Sequence, residues 1–320
     1  MTLPLKDKEE KMRTVLTMLF LFCGTISCFA QQVSVERITL PAEVQQEIVV
    51  PSTDADIKDL QWNRWTSESF VVCSINDKQA QYLVANLENI KNWVYTRWGF
   101  KNQKFVAECR LICVDDPKLF KKFFDLDSSR AEIRYDSKTN KPNLIVIFYL
   151  LDQTPSTNIP GPLTEICLTN IDEIYDIDSK PWSVMGMRAL NENIPSIKSK
   201  FTAIDLKLQQ DQPIYFSRGL FEMTKEQYQK LDTEHRVMFD NNAMAMCLFM
   251  RKEFGQNNFH VFYYKSGKNE NPADLLKLIY KFESYEKFDQ AYKNFLLDTV
   301  KGLKNDSIRD SYFQINQSGG

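Results

Sequence analysis

Between Gln79 and Trp98 the apolar residues recur on one helical face: Ala80, Leu83, Val84, Leu87, Ile90, Val94 and Trp98. Asn76 and Asp77 can cap the start and Gly99 closes the run. The period then changes to two. Phe105, Ala107, Cys109, Leu111 and Cys113 share one face of a strand ending at Val114, and Asp115-Asp116-Pro117 turns the chain into a short helix, Lys118 to Phe124. Ser69–Ser74 and Ala131–Tyr135 read as further strands. Leu144 to Leu151 is a continuous apolar run with β-branched and aromatic residues at its centre, which predicts a strand buried on both faces. Val33, Val35, Ile38 and Leu40, then Ile48-Val49-Val50, predict one or two short strands in a leader over 31–60. Gln153 to Pro162 reads as a loop and Leu163 to Thr169 as another strand.

Later in the chain the helical period dominates. Trp182–Leu190 and Ile197–Leu208 carry it, and Met223–Lys230 reads as a helix or the turn into one. Asp240 to Phe254 is a predicted helix with Asp240 and Asn241 as caps, Gly255 as its stop, and Ala243, Cys247, Leu248 and Met250 as apolar contacts. Phe259 to Tyr264 reads as an aromatic, strand-like run. Pro272–Tyr280, capped by Asn271, and a last helix from Ser284 or Tyr285 to Leu303 complete the set, with fraying after Asp306. The order predicts an α+β fold: a mixed-sheet lobe with helices over 61–180, a mostly helical lobe over 181–305, and a tail over 306–320.

The first thirty residues have a different logic. Lys11-Met12-Arg13 is a short basic region, Val15 to Phe22 an apolar core, and Cys28-Phe29-Ala30 ends in a small residue before Gln31. That is the layout of a secretory signal peptide over 1–30, cleaved after Ala30, with Met12 as a candidate true start. It predicts a secreted or periplasmic protein with no membrane span. The competing reading is a lipid anchor at Cys28, which Thr25 three places earlier disfavours.

Composition excludes some classes. Of 320 residues, 43% are hydrophobic and 12% aromatic, so a sizeable core can form, and the net charge of −2 gives no field for nucleic acid. Cys73, Cys109, Cys113, Cys167 and Cys247 follow the signal region, and an odd number leaves at least one thiol unpaired. Cys109 and Cys113 fall about 13 Å apart on one strand face, too far to bridge. These cysteines read chiefly as small core hydrophobes. Glu165, Asp172 and Glu173 read as solvated charges, and the Phe- and Tyr-rich runs as packing rather than a groove.

One arrangement carries a resemblance. Trp65-Thr66-Ser67-Glu68-Ser69-Phe70-Val71-Val72, the helix to Trp98 with its Gly-Phe ending, and the strand closing in Asp-Asp-Pro resemble the opening of peptidase-MA-like, gluzincin-type metallopeptidase domains. Arg218-Gly219-Leu220-Phe221-Glu222 resembles their Glu-Gly-Leu-Ala segment, and the helices from Asp240 onward resemble their tail. The likeness implies a zincin-like fold over most of 60–300. It also implies zinc held by a His-Glu-x-x-His helix and a downstream Glu, with the Glu between the histidines as general base.

This chain lacks those ligands. His235 and His260 are its only histidines, and neither lies in such a motif. The catalytic helix is expected at Trp182–Leu190, where Met185, Gly186, Arg188 and Ala189 stand, and Arg218, Gly219 and Glu222 occupy the downstream segment. These seven residues are the predicted former cleft, with Arg188, Arg218 and Glu222 as an ion-pair cluster in place of metal. The expectation is a pseudo-peptidase with no catalytic residue, metal or cofactor, which binds a protein or peptide. The alternative is an active secreted hydrolase with a non-standard site, such as a metal on His235 and His260 with Glu222 or Glu234, or a Cys247–His260 pair.

Overall fold

In the computed structural model, residues 35–38, 62–124, 130–138, 142–150, 159–210 and 214–313 are described. The signal region, Cys28 and the predicted strand at Ile48–Val50 lie outside them. Six strands form one mixed sheet: β1 (Val35–Ile38), β2 (Trp62–Thr66), β3 (Phe70–Ser74), β4 (Glu108–Val114), β5 (Arg130–Tyr135) and β6 (Pro142–Leu150). Their spatial order is β1-β2-β3-β4-β6-β5. β3, β4 and β6 run parallel at the centre, while β1, β2 and β5 join by antiparallel pairing.

Central placement explains the run that reads as doubly buried. β6 lies between β4 and β5, and Leu144, Ile145, Val146 and Ile147 are all buried, so both faces of the strand are covered. In β4, Cys109, Leu111 and Cys113 point one way and Ile112 and Val114 the other, and all are buried.

Helix α1 (Asp77–Arg97) follows β3 and packs on β2 and β3. Its predicted face is buried at Ala80, Leu83, Val84, Leu87, Val94 and the following Trp98. Trp65 Nε1 donates to Asp77 Oδ1 at 3.0 Å, tying the helix start to the sheet. Lys91, only 2% exposed, donates to Ser69 Oγ at 2.6 Å and pairs with Glu88 at 3.0 Å. Glu88 also accepts from Ser67 Oγ and Ser69 N. This network clamps the β2–β3 turn onto α1, and it leaves the buried ammonium partnered. Helix α2 (Pro117–Phe124) packs against β4 and β6.

After β6 every element is helical among the described residues: α3 (Pro160–Tyr175), α4 (Pro181–Leu190), α5 (Ile194–Gln209), α6 (Ser217–Phe221), α7 (Lys225–Gln229), α8 (Thr233–Gly267), α9 (Pro272–Tyr280), α10 (Tyr285–Lys304) and a short 3-10 turn at Asp310–Tyr312. The general α+β class is therefore as expected. None of the described helices is long and apolar enough to cross a membrane.

Three local expectations are corrected. Leu163–Thr169 is helical, inside α3: Pro160 starts the helix, and it packs between α1 and α4, so that Leu163, Thr164, Ile166, Cys167 and Leu168 are all buried. Phe259–Tyr264 is also helical: Phe259, Phe262 and Tyr263 pack inward from the second half of α8. The chain beyond Asp306 does not simply fray. Phe313 is fully buried, its ring 5.8 Å from that of Phe201, and Lys198 pairs with Asp310 at 2.8 Å.

Helix α8 is the axis of the helical part. From Met238 to Arg251 the only residue that is not buried is Asp240, so this stretch reads apolar around most of its circumference. It starts at Thr233, seven residues before the predicted start, because Asp232 caps it by accepting from His235 N at 2.9 Å. Gly255 interrupts it with φ 81° and ψ 163°, after which the helix resumes. The predicted stop is thus a break within a longer element. α4 crosses α8 closely at Gly186, where an added Cβ would lie 2.4 Å from the Ala243 carbonyl oxygen and 2.5 Å from Cys247 Sγ.

Candidate functional site

The predicted cleft residues fall into two places. Met185, Arg188 and Ala189 of α4 line a pocket of about 410 Å³ whose other walls come from α5, α7 and α8. Gly186 faces α8 at the helix crossing instead. Arg218, Gly219 and Glu222 do not line this pocket. Arg218 lies 3.7 Å from Glu222, its guanidinium sits over the Tyr285 ring, and Tyr285 donates to Glu222 at 3.1 Å. This second cluster belongs to α6 and α10, with Arg218 and Glu222 exposed over the buried Tyr285. The two sites are adjacent through Trp182 and Phe221, whose rings are 5.0 Å apart. The expected single cluster of Arg188, Arg218 and Glu222 does not form, because α4 presents Arg188 to α3, where it pairs with Glu165 at 3.1 Å.

The pocket on α4 has a built polar lining. Lys200 of α5 pairs with Glu192 at 2.7 Å, and Glu192 also accepts from Ser196. Asn193 caps α5 by accepting from Ser196 N, which sets the turn that brings Glu192 and Lys200 together. Tyr228 of α7 donates to Asp240 Oδ1 at 2.9 Å. Arg236 lies over the Tyr228 ring and donates to the carbonyls of Gln229 and Leu231, so it closes the end of α7 onto α8. Burial pushes the Asp240 carboxyl up to about 6, against the lowering effects of the Tyr228 hydrogen bond and of Arg188, Lys200 and Arg236. Burial, reinforced by Asp240, raises Tyr228. Asn241 lines the same pocket at 4% exposure.

Glu165, Lys200, Tyr228, Arg236, Asp240 and Asn241 escape the sequence reading as site residues. Asp240 and Asn241 read as caps because the apolar period starts there. The signal for the true start is Asp232 followed three residues later by His235, a polar cap hidden in a charged stretch. Asp172 is likewise not solvated. Its carboxylate accepts from Ser179 N and Oγ and from Tyr263 OH, and burial raises it to about 6.

The alternative sites are not assembled. His235 is exposed at the start of α8 and pairs with Asp232 at 2.8 Å. His260 lies in the second half of the same helix, donates to the Trp98 carbonyl and stacks on Phe100. Burial holds its imidazole below the usual histidine range, against the pull of that carbonyl. Cys247 is buried, with its thiol against the Trp182 carbonyl at 3.9 Å, and burial drives its pKa far up. Among the described residues, no three His, Cys, Asp or Glu side chains are grouped to hold a metal ion. Neither the models of known protein families nor the curated proteins match this chain.

Proposed function

We propose that this chain is an exported protein of zincin-like fold whose peptidase chemistry is lost, and that it works by binding a ligand in the pocket between α4, α5, α7 and α8. The observation that carries the reading is the Glu165–Arg188 pair at 3.1 Å. Glu165 lies within Thr164-Glu165-Ile166-Cys167-Leu168, a Glu with threonine one place before it and leucine three places after. Those are the places of the two imidazoles in a His-Glu-x-x-His helix, where the i and i+4 side chains share one face. The degenerate catalytic helix then shifts from Trp182–Leu190 to α3.

The local chemistry supports loss of the metal. Thr164 is buried, donates to the Pro160 carbonyl at 2.6 Å and accepts from Asn191 Nδ2 at 2.5 Å. Leu168 is buried and has no donor atom to offer a cation. Glu165, the general-base counterpart, is engaged by a guanidinium, and Arg188 at the same time lines the pocket. A sheet with parallel central strands and an antiparallel edge strand β5, followed among the described residues by helices, supports the fold assignment.

The test is elemental analysis of the purified protein together with turnover on a broad peptide set, with and without chelator. The expected result is no stoichiometric zinc and no chelator-sensitive hydrolysis. About one zinc per chain, or hydrolysis abolished by Glu165→Gln, overturns the reading.

A further inference from the structure

We infer that the pocket between α4, α5, α7 and α8 takes a small organic monocarboxylate with an apolar body, its carboxylate held between Arg188, Lys200 and Asn241. The inference rests on the reading of this pocket as a binding site and names the ligand class for it.

Charge supplies the first argument. Arg188, Lys200 and Arg236 are matched by Glu165, which pairs with Arg188, and by Glu192 and Asp240, so one net positive charge is left for a ligand while Asp240 is protonated. The cations come from α4, α5 and α8, so they converge by tertiary packing rather than lying along one helix face. Arg188 meets Glu165 through Nη1, and a guanidinium has five donors.

The buried amide supplies the second. Asn241 is 4% exposed and lines the pocket, and its amide is not among the buried unpaired polar atoms of the described residues, so it opens onto the pocket. A ligand oxygen accepting from its Nδ2 would take the place of water at that amide. Third, Met185, Ala189 and Val237 supply an apolar wall beside the cations, and Val237 is 52% exposed. Methylenes or a ring on the ligand would cover it. A volume of about 410 Å³ admits a molecule of this size.

Asp240 makes the binding pH-dependent. The groups facing it are Tyr228 of α7, Arg188 of α4, Lys200 of α5 and Arg236 of its own helix, with Glu192 in the turn after α4. An arriving carboxylate repels ionised Asp240, so the complex holds the Asp240 proton more tightly than the free protein does. Affinity therefore falls as pH rises above about 6, by up to tenfold per unit, and binding takes up protons.

Hexanoate and benzoate titrated calorimetrically into the full chain between pH 5 and 8 test the inference, with hexanamide, benzamide and inorganic phosphate as comparisons. Saturable binding of a carboxylate is expected, at least tenfold tighter than its amide. Its enthalpy should depend on the buffer's ionisation heat above pH 6. Lys200→Met, at a partly exposed site, should weaken binding about tenfold or more while leaving the unfolding midpoint nearly unchanged. Asn241→Leu should do the same if it folds. Equal binding of acid and amide, phosphate binding as tightly as hexanoate, no saturable binding, or indifference to Lys200→Met would each overturn the inference. If carboxylates fail while zinc and hydrolysis are absent, the ligand class is wrong and the binding reading stands. Zinc or chelator-sensitive turnover would sink the binding reading itself.

Discussion

Gly186→Ala tests the packing on which the pocket depends. The new methyl carbon would sit 2.4 Å from the Ala243 carbonyl oxygen, 2.8 Å from its carbonyl carbon and 2.5 Å from Cys247 Sγ. Two of these atoms are backbone of the most buried stretch of α8 and cannot swing aside, so α4 and α8 must separate. Overpacking of this kind costs about 1–3 kcal/mol, and backbone contacts place the cost near the upper end. Alanine returns about 1 kcal/mol through helix propensity. The net expectation is a loss of about 2 kcal/mol, or roughly 3 °C in melting temperature for a chain of this size. Because Arg188 is two residues after Gly186, the shift also loosens the Glu165–Arg188 pair. Gly161→Ala is the control. Its nearest neighbour is a flexible Arg188 methylene at 3.7 Å, so it should be neutral or stabilise by up to about 1 kcal/mol. Urea unfolding followed by circular dichroism and tryptophan fluorescence gives both values. If Gly186→Ala is as stable as the parent, α4 and α8 do not cross as described.

Phe313→Ala removes a fully buried ring packed on Phe201 and should cost about 3 kcal/mol in urea unfolding; an unchanged midpoint would mean the tail is not docked. Asp172 and Asp240 are raised by burial from the usual 3.8 to about 6, so between those values the folded state binds more protons than the unfolded state. Stability should therefore fall as pH rises from about 4 to 6, and Asp172→Asn or Asp240→Asn should each flatten that slope; a slope unchanged in both variants would contradict the assignment. The five cysteines of the described residues are free and buried, with Cys73 pushed to about 11 and Cys113 to about 12. Ellman's reagent should find these thiols inert in the native protein and reactive in urea.

Much of the fold was legible because local patterns were strong. The face of α1 and the double burial of β6 follow from period and composition, the Asn271 cap of α9 is as predicted, and α10 starts at Tyr285, one of the two predicted starts. Leu163–Thr169 was not legible, because a short apolar run fits a strand or a helix equally well, and packing between α1 and α4 decided for the helix. The candidate site was legible only on α4, at Met185, Arg188 and Ala189.

The sequence by itself determined the α+β order of elements, the two isolated histidines and the absence of a His-Glu-x-x-His motif. Those properties depend on neighbours within one helix or strand. Tertiary structure alone decided that Arg188 meets Glu165, that Arg218 and Glu222 fall in a separate cluster, and that Lys200, Tyr228 and Asp240 share a pocket. Side chains on four different helices come together only when the helices cross, and the close approach at Gly186 helps to set that crossing.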